Sequence, residues 1–581
     1  MFMKKSILSI CFLTFLFVVC AQNYNAVLFK VGSESVTANE FINTFNKNNS
    51  LENATENELK DYLELYINFK LKVMDGIDYK IDTALSFQRE LASYKYQSAQ
   101  PYLVDKEVTE KLINEAVERS KLMVRASHIL ILCEPNALPK DTLTAYLKIL
   151  DIRKKILSGT ITFPEAAVQF SEDVSARDEV NRDKKIQFGN KGDLGYFSAF
   201  DLIYPFESAA YNTPVGDCSM PVRTQFGYHI IWVQDKQPAV SKINISQILL
   251  LDTTARFGSM SPKVKEKLER IEDAFKSEKD FASIAEVYTE DPMSKSRGGM
   301  LESFPPARRP GDFIKQCISL EKGQVSPAFS SVVGWHIVKL NELTMLEVKD
   351  DELRYSVISK IQRDTRSTKS VESLIEKLKK EYKFSDKGKN EAFNFLLKKL
   401  NTETIMPPAT NLLAMAGIEK LKPMANLADQ TITIQDFIKH LDRSSGIELN
   451  KQAKSFLDAN YEEFIKDAIL KYEFEHLEQK YPEYKELISE YHQGMILFEM
   501  TNEKIWSLSL KDTVNLESFY EKIKFDHLNK EGEPKPFAEI RSIVLTEYQN
   551  ELETKWMAQL KEKYPVWINE ELFNLISKKN K

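Results

Sequence analysis

Two hexapeptides, Phe226-Gly227-Tyr228-His229-Ile230-Ile231 and Val333-Gly334-Trp335-His336-Ile337-Val338, place a histidine at the same phase after a glycine and an aromatic residue. Alternation and β-branched residues after a glycine read as a turn running into a strand. A third histidine, His128, lies in the alternating stretch Arg125 to Leu132, RASHILIL. The rest of the reactive inventory is sparse. The chain has 7 histidines and 5 cysteines, with no His-Glu-x-x-His pattern and no cysteine pair at metal-ligand spacing. Cys133, Cys218 and Cys317 are too far apart to form a disulfide framework. These residues argue against a metal or thiol enzyme, so no metal and no cofactor is expected. Paired strand histidines point to a repeated module with a site of another kind.

The elements around the histidines repeat as well. From His128 the chain runs through an amphipathic stretch ending PEAAVQFSED, a glycine turn KGDLGYF, the segment PFESAAY and the strand FGYHIIWV. A second copy opens with KINISQILLL, continues through DFASIAEVYTEDPMSKSRGGMLESF and closes on VGWHIVKL. The same number of residues separates Phe197 from Phe206 and Phe304 from Phe313. The order in each copy is strand, helices, strand, helix, strand.

The motifs SHILI, FSEDVSA, GDLGYF, PFESAA and GYHII together resemble the parvulin (PpiC-like) peptidyl-prolyl cis-trans isomerases. Two such modules in one chain resemble the SurA-type periplasmic chaperones. The resemblance implies an α+β fold: two parvulin-like modules, each a small antiparallel sheet with surrounding helices, flanked by mainly helical chaperone domains. It implies a site in which His128, Asp173 and His229 set the hydrogen bonding and Leu202, Phe206 and Phe226 line the prolyl pocket. Such a site works without nucleophile or cofactor. Rotation about a peptide bond meets a barrier of about 18–20 kcal/mol, and the protein must favour the twisted amide over the planar one. Taken singly, each residue also has a plainer reading: a strand histidine as core, Leu202 and Phe206 as helix packing, Asp173 as a helix cap.

The second copy departs at two positions. Gln247 stands where His128 stands, and Arg309 where Leu202 does, while Asp291, Phe313 and His336 remain. A guanidinium is costly inside an apolar pocket, so the second module is expected to keep the fold and lose most of its activity. The charged insertion from Ala176 to Lys191 reads as a solvated flap beside the first site.

At 581 residues the chain is long enough for about three to five domains. The expected ranges are 1–21 for a signal peptide, 22–121 for an N-terminal helical chaperone domain, 122–236 and 242–345 for the two modules, and 346–581 for a C-terminal helical domain. Lys4 and Lys5, the apolar run Ile7 to Val19 and the step Val19-Cys20-Ala21 make the signal peptide. That run is shorter than the ~20 residues of a spanning helix. Cleavage after Ala21 would deliver the protein to the periplasm; lipidation at Cys20 is the less favoured alternative. Val31 to Phe45 matches Leu427 to Leu441 without a gap, with a capping-box signature exact at Thr37 and Glu40 and approximate at Thr433 and Asp436. GMILFEM, Gly494 to Met500, reads as buried helix core. The net charge of −6 offers no reason for a nucleic-acid partner.

The resulting expectation is an exported isomerase and chaperone. It would bind unfolded or nascent envelope proteins, with outer-membrane β-barrels foremost, and act on proline-containing peptides. The alternative is a non-catalytic holding chaperone that uses parvulin folds only to bind peptides.

Overall fold

The computed structural model describes residues 25–578 apart from 136, 181–185, 278, 348, 401–402, 404, 448 and 450–452. The signal-peptide segment therefore lies outside the described residues. Among the described residues no helix is long and apolar enough to cross a membrane. The chain forms two compact units, one of residues up to Gln100 together with those from Phe474 onward, the other running from Pro101 to Glu473.

The first unit joins the two ends of the chain. Strand Val27–Val31 pairs on one side with Glu34–Thr37 and on the other with Val566–Ile568, in the register Phe29↔Ile568 and Val31↔Val566. Helix Glu56–Asp78 buries Leu59, Leu63, Tyr66, Ile67 and Leu71, the spacing of one helical face. Ile496, Met500, Trp556 and Phe573 complete the same core. The GMILFEM segment thus divides, with Ile496 and Met500 buried and Phe498 58% exposed.

The second unit contains both repeats. In the first, strands run antiparallel in the order Asp193–Phe197, Leu122–Leu132, Gly227–Pro238, Val222–Thr224. Strand Leu122–Leu132 is buried along all but its two end residues, so Arg125, Ser127 and His128 are buried together with the apolar residues between and beyond them. Helices Pro139–Leu157, Phe163–Phe170 and Tyr204–Asn212 pack around it. The second repeat sets Phe329–Ser330, Gly334–Met345 and Val240–Leu251 in order, with helices Pro262–Lys276, Phe281–Tyr288 and Gly311–Ile318. The outer strand of the first repeat is reduced here to the isolated bridges Ile243↔Phe304 and Ser246↔Met300.

The joint Gln237-Pro238-Ala239 is a pinned step between two long strands. Ala239 donates its N–H to Lys121 O at 2.9 Å and accepts from Leu346 N at 2.9 Å. Met123 and Tyr196 of the first repeat enter the core of the second, and Arg125 bonds both Asp193 (2.6 Å) and Asp312 (2.8 Å). A side chain at Gly311 would collide with that guanidinium, its Cβ falling 2.2 Å from Arg125 Nε.

Beyond the repeats, helices between Asp350 and Glu473 enclose the hairpin Pro423–Leu427 and Gln430–Thr433 around Ile375, Phe393, Phe437 and Tyr461. The two capping signatures exchange quality. Thr433 and Asp436 form the reciprocal box, whereas Thr37 only accepts from Glu40 N at 3.2 Å. Glu40 is diverted, because its carboxylate accepts from Tyr66 Oη at 3.0 Å and pairs with the buried Lys70 at 3.1 Å.

Candidate active site

Local geometry brings His128 and Asp173 together. The loop after helix Phe163–Phe170 is stitched to the central strand: Glu172 N donates to Leu130 O (2.8 Å), Ser171 Oγ accepts from Leu130 N (3.2 Å) and Glu172 Oε2 accepts from Leu132 N (2.7 Å). From the other side Gly192 O accepts from His128 N at 2.9 Å. Gly192 has φ of +86°, and a Cβ there would sit 2.6 Å from His128 O, so the glycine of KGDLGYF is required by close approach.

The polar chain that results is continuous. Asp173 Oδ2 lies 2.9 Å from His128 Nε2, His128 Nδ1 lies 3.3 Å from His229 Nδ1, and His229 Nε2 lies 2.8 Å from Thr224 Oγ1. One tautomer set satisfies every bond: Thr224 O–H donates to His229 Nε2, His229 Nδ1–H to His128 Nδ1, and His128 Nε2–H to the carboxylate. Asp173 also caps the next turn by accepting from Ser175 N at 2.9 Å, so the cap reading and the site reading hold at once. The bond from His128 holds the Asp173 carboxyl well below the usual carboxylate range. Burial, and then the neighbouring His128, lowers His229 to about 3.

Phe206, 4% exposed, sets its ring edge-on to both imidazoles, with centroids 5.6 Å from His128 and 5.4 Å from His229. Leu202 is half-buried in the same apolar cluster. Phe226 stands apart from that cluster, two residues past Thr224, and is 51% exposed. Four of the six expected residues are therefore in direct contact, Leu202 adjoins them, and Phe226 is left facing solvent. The arrangement offers an aromatic surface beside a fully hydrogen-bonded imidazole pair, with no free nucleophile among these residues. Among the described residues, no group of His, Cys, Asp and Glu could hold a metal ion.

The sequence did not reveal a second layer. Glu207, fully buried beside Phe206, accepts from Phe200 N (2.7 Å), Arg119 Nη1 (3.2 Å) and Arg366 Nη2 (2.8 Å). Arg366 is itself buried and lies 3.9 Å from the Phe200 ring centroid. This cluster fixes the turn that carries Leu202 and the start of the helix that carries Phe206. Only the adjacency of Glu207 to Phe206 hinted at it.

The expected solvated flap is tied down where it is described. Glu179–Val180 pairs with Ile186–Gln187. Arg256 of the second repeat lies 3.3 Å from Asp178 and 4.9 Å from the Phe188 ring centroid; residues 181–185 of the flap lie outside the described residues.

The second repeat reproduces the scaffold with different side chains. Gln247 Nε2 donates to Asp291 Oδ2 at 2.9 Å, in place of the histidine. His336 Nε2 meets Ser331 Oγ at 2.7 Å. Gly299, φ +79°, approaches Gln247 O as Gly192 approaches His128 O. Arg309 does not enter the apolar interior; it is exposed, with its guanidinium 5.3 Å and 5.8 Å from the centroids of Phe304 and Phe313. The desolvation cost expected from sequence is thereby avoided.

Comparison with known proteins bears on the two repeats. Residues 128–235 and 250–342 match the family model of the PPIC-type PPIase domain, or rotamase. Both repeats are therefore PPIC-type domains, and the α+β class with two parvulin modules and helical flanks holds. The second match opens just past Gln247. Chaperone SurA of Alkalilimnicola ehrlichii is 29% identical over 297 residues, 48% of this chain and 61% of the relative. Chaperone SurA of Idiomarina loihiensis is 32% identical over 165 residues, 28% of this chain and 38% of the relative. Foldase protein PrsA of Geobacillus kaustophilus is 29% identical over 236 residues, 38% of this chain and 74% of the relative. The chain thus spans 38% to 61% of the length of these two SurA relatives.

Proposed function

We propose that this protein is an exported peptidyl-prolyl cis-trans isomerase and chaperone of the envelope. In this reading residues 122–236 catalyse X-Pro isomerisation, residues 242–345 are a degenerate copy, and residues 22–121 and 346–581 hold unfolded envelope proteins, outer-membrane β-barrels foremost. Residues 1–21 serve as a cleaved signal peptide and the mature protein resides in the periplasm.

The observation that carries the catalytic part is the contact of Phe206 with both rings of the Asp173–His128–His229–Thr224 chain. A proline ring seated against Phe206 and Leu202 brings the preceding amide beside this chain. The planar amide is the charge-separated, better hydrated form. An apolar, water-poor seat therefore raises the planar state relative to the twisted one and lowers the barrier. His128, Asp173 and His229 give the seat a hydrogen-bonded polar rim that includes the Asp173 carboxylate and transfers no proton.

The full-length protein provides the test. Phe206→Ala removes about 1.5–3 kcal/mol of apolar contact, so the isomerisation rate of a proline peptide should fall roughly 10- to 100-fold. Phe313→Ala should leave it nearly unchanged, with folding of both variants checked by thermal melts. A folded Phe206→Ala protein with full turnover would remove the site from module one. The replacement of His128 by Gln247 in module two favours the rival reading, a purely holding chaperone. Absence of turnover in the parent protein, with aggregation of an unfolded β-barrel still suppressed, would establish that rival.

A further inference from the structure

Module two keeps the floor of a prolyl site and changes its mouth. Phe313 lies edge-on to His336 at 5.2 Å, and Phe329 stacks on the same imidazole at 5.5 Å. His336 is 5% exposed, and its Nδ1, the counterpart of the atom by which His229 meets His128, has no hydrogen-bond partner among the described residues. Gln247 has turned its amide to Asp291 instead. That carboxylate is already engaged, since Oδ2 also accepts from Ser294 Oγ (2.6 Å) and Oδ1 accepts from Met293 N (3.1 Å).

Arg309 is left uncommitted above these groups. It forms no ion pair among the described residues, while its charge acts on Asp291, His336 and Cys317 at the site. A guanidinium laid on aromatic faces keeps its edge free for a planar anion.

We propose that module two, read as a prolyl fold that has lost its histidine pair, is a binding site for peptide segments in which a glutamate or aspartate flanks a proline. Phe313 is 4% exposed beneath the Arg309 guanidinium; the carboxylate draws that guanidinium aside and the proline ring takes its place on Phe313. Neighbouring Cα atoms are about 3.8 Å apart, so an acidic side chain beside the seated proline reaches the displaced cation. His336 Nδ1 supplies a second polar contact to the bound backbone. Recognition here needs no change in the amide, so the site binds client segments without isomerising them and independently of module one.

Fluorescence anisotropy on the full chain carrying Phe206→Ala, which weakens the first pocket, separates the possibilities. The probes are a terminally capped hexapeptide with one Glu-Pro pair, its Gln-Pro counterpart, and the Gln-Pro peptide with a free C-terminal carboxylate. The Glu-Pro peptide should bind roughly three- to tenfold more tightly than the capped Gln-Pro peptide, an advantage that shrinks with added salt. Arg309→Gln should abolish the preference and Arg309→Lys retain part of it. In a chain with Phe206 intact, Arg309→Gln should leave turnover unaltered.

Equal affinity for the two capped peptides would overturn the inference, as would a preference that survives Arg309→Gln. Tight binding of the free-carboxylate peptide alone would also overturn it, assigning Arg309 to chain ends. Each of these failures leaves the assignment of catalysis to module one standing. Loss of turnover in Arg309→Gln would instead place isomerisation in module two and remove both readings.

Discussion

His229 and His336 stay neutral in the fold because burial, reinforced by the neighbouring His128 or Arg309, lowers them to about 3 and about 4. An unfolded chain protonates both near their ordinary value of 6.5, whereas the native chain resists until pH 4 and below. Their contribution is therefore complete above pH 6.5 and is lost progressively as pH falls toward 4 and then 3. The slope is at most about 1.4 kcal/mol per pH unit for each histidine. Asp173 acts in the same direction, but only below its ordinary carboxyl range. Denaturation midpoints should decline between pH 7 and pH 5, and His229→Asn should flatten the decline. A pH-independent midpoint across that interval would contradict the buried, neutral assignment.

Among the elements, helix Tyr204–Asn212 shows how far from the pocket its support comes. Glu207 is buried between Arg119, which precedes the module, and Arg366, which lies well beyond both repeats. Removing one partner of a buried ion pair leaves an uncompensated charge and costs about 3–5 kcal/mol. Arg366→Ala should lower stability by that order. It should also raise the Michaelis constant for a proline peptide more than it lowers the turnover number, because the turn at Phe200 and Leu202 loses its anchor. Arg366→Lys should recover part of both effects. For the same reason a fragment of residues 122–236, lacking both arginines, is expected to melt well below a fragment of residues 101–381. Equal melting temperatures would mean that Glu207 finds other compensation.

For the whole molecule, one unit is closed by the chain's two ends, since Val566–Ile568 supplies an outer strand to Val27–Val31 and Phe573 and Ile576 fill the core beneath it. Deleting residues 566–581 exposes that strand edge and core together. It should reduce suppression of aggregation of an unfolded β-barrel while proline turnover, assigned to the other unit, persists. The same unit displays Phe498, Leu510 and Val514 at 58%, 57% and 73% exposure. Apolar surface of this kind is suited to varied clients. Phe498→Ser combined with Leu510→Ser should weaken holding without altering turnover or the melting temperature. Undiminished holding in that double variant would move the client surface elsewhere.

The repeat and its strand and helix order were legible in the residues, because they rest on short-range physics; that His128, Asp173 and His229 share a site came only from the family resemblance, and Thr224 at the end of their chain was not anticipated. Alternation exposes strands, glycine marks the close approach at His128, and the loop bearing Asp173 is stitched to the strand by its own neighbours Ser171 and Glu172. Module two's departure from module one was equally visible in Gln247 and Arg309. Other features depended on partners far away in the chain. Glu40 abandons its capping box because Lys70 and Tyr66 attract it, while the less promising Asp436 completes one. Phe226 turns half toward solvent, Arg309 rises out of the pocket onto Phe304 and Phe313, and Glu207 is held by Arg119 and Arg366. Local propensity decides what a segment can become, but a charged or aromatic side chain settles where desolvation and pairing balance, and that balance exists only once distant segments have met.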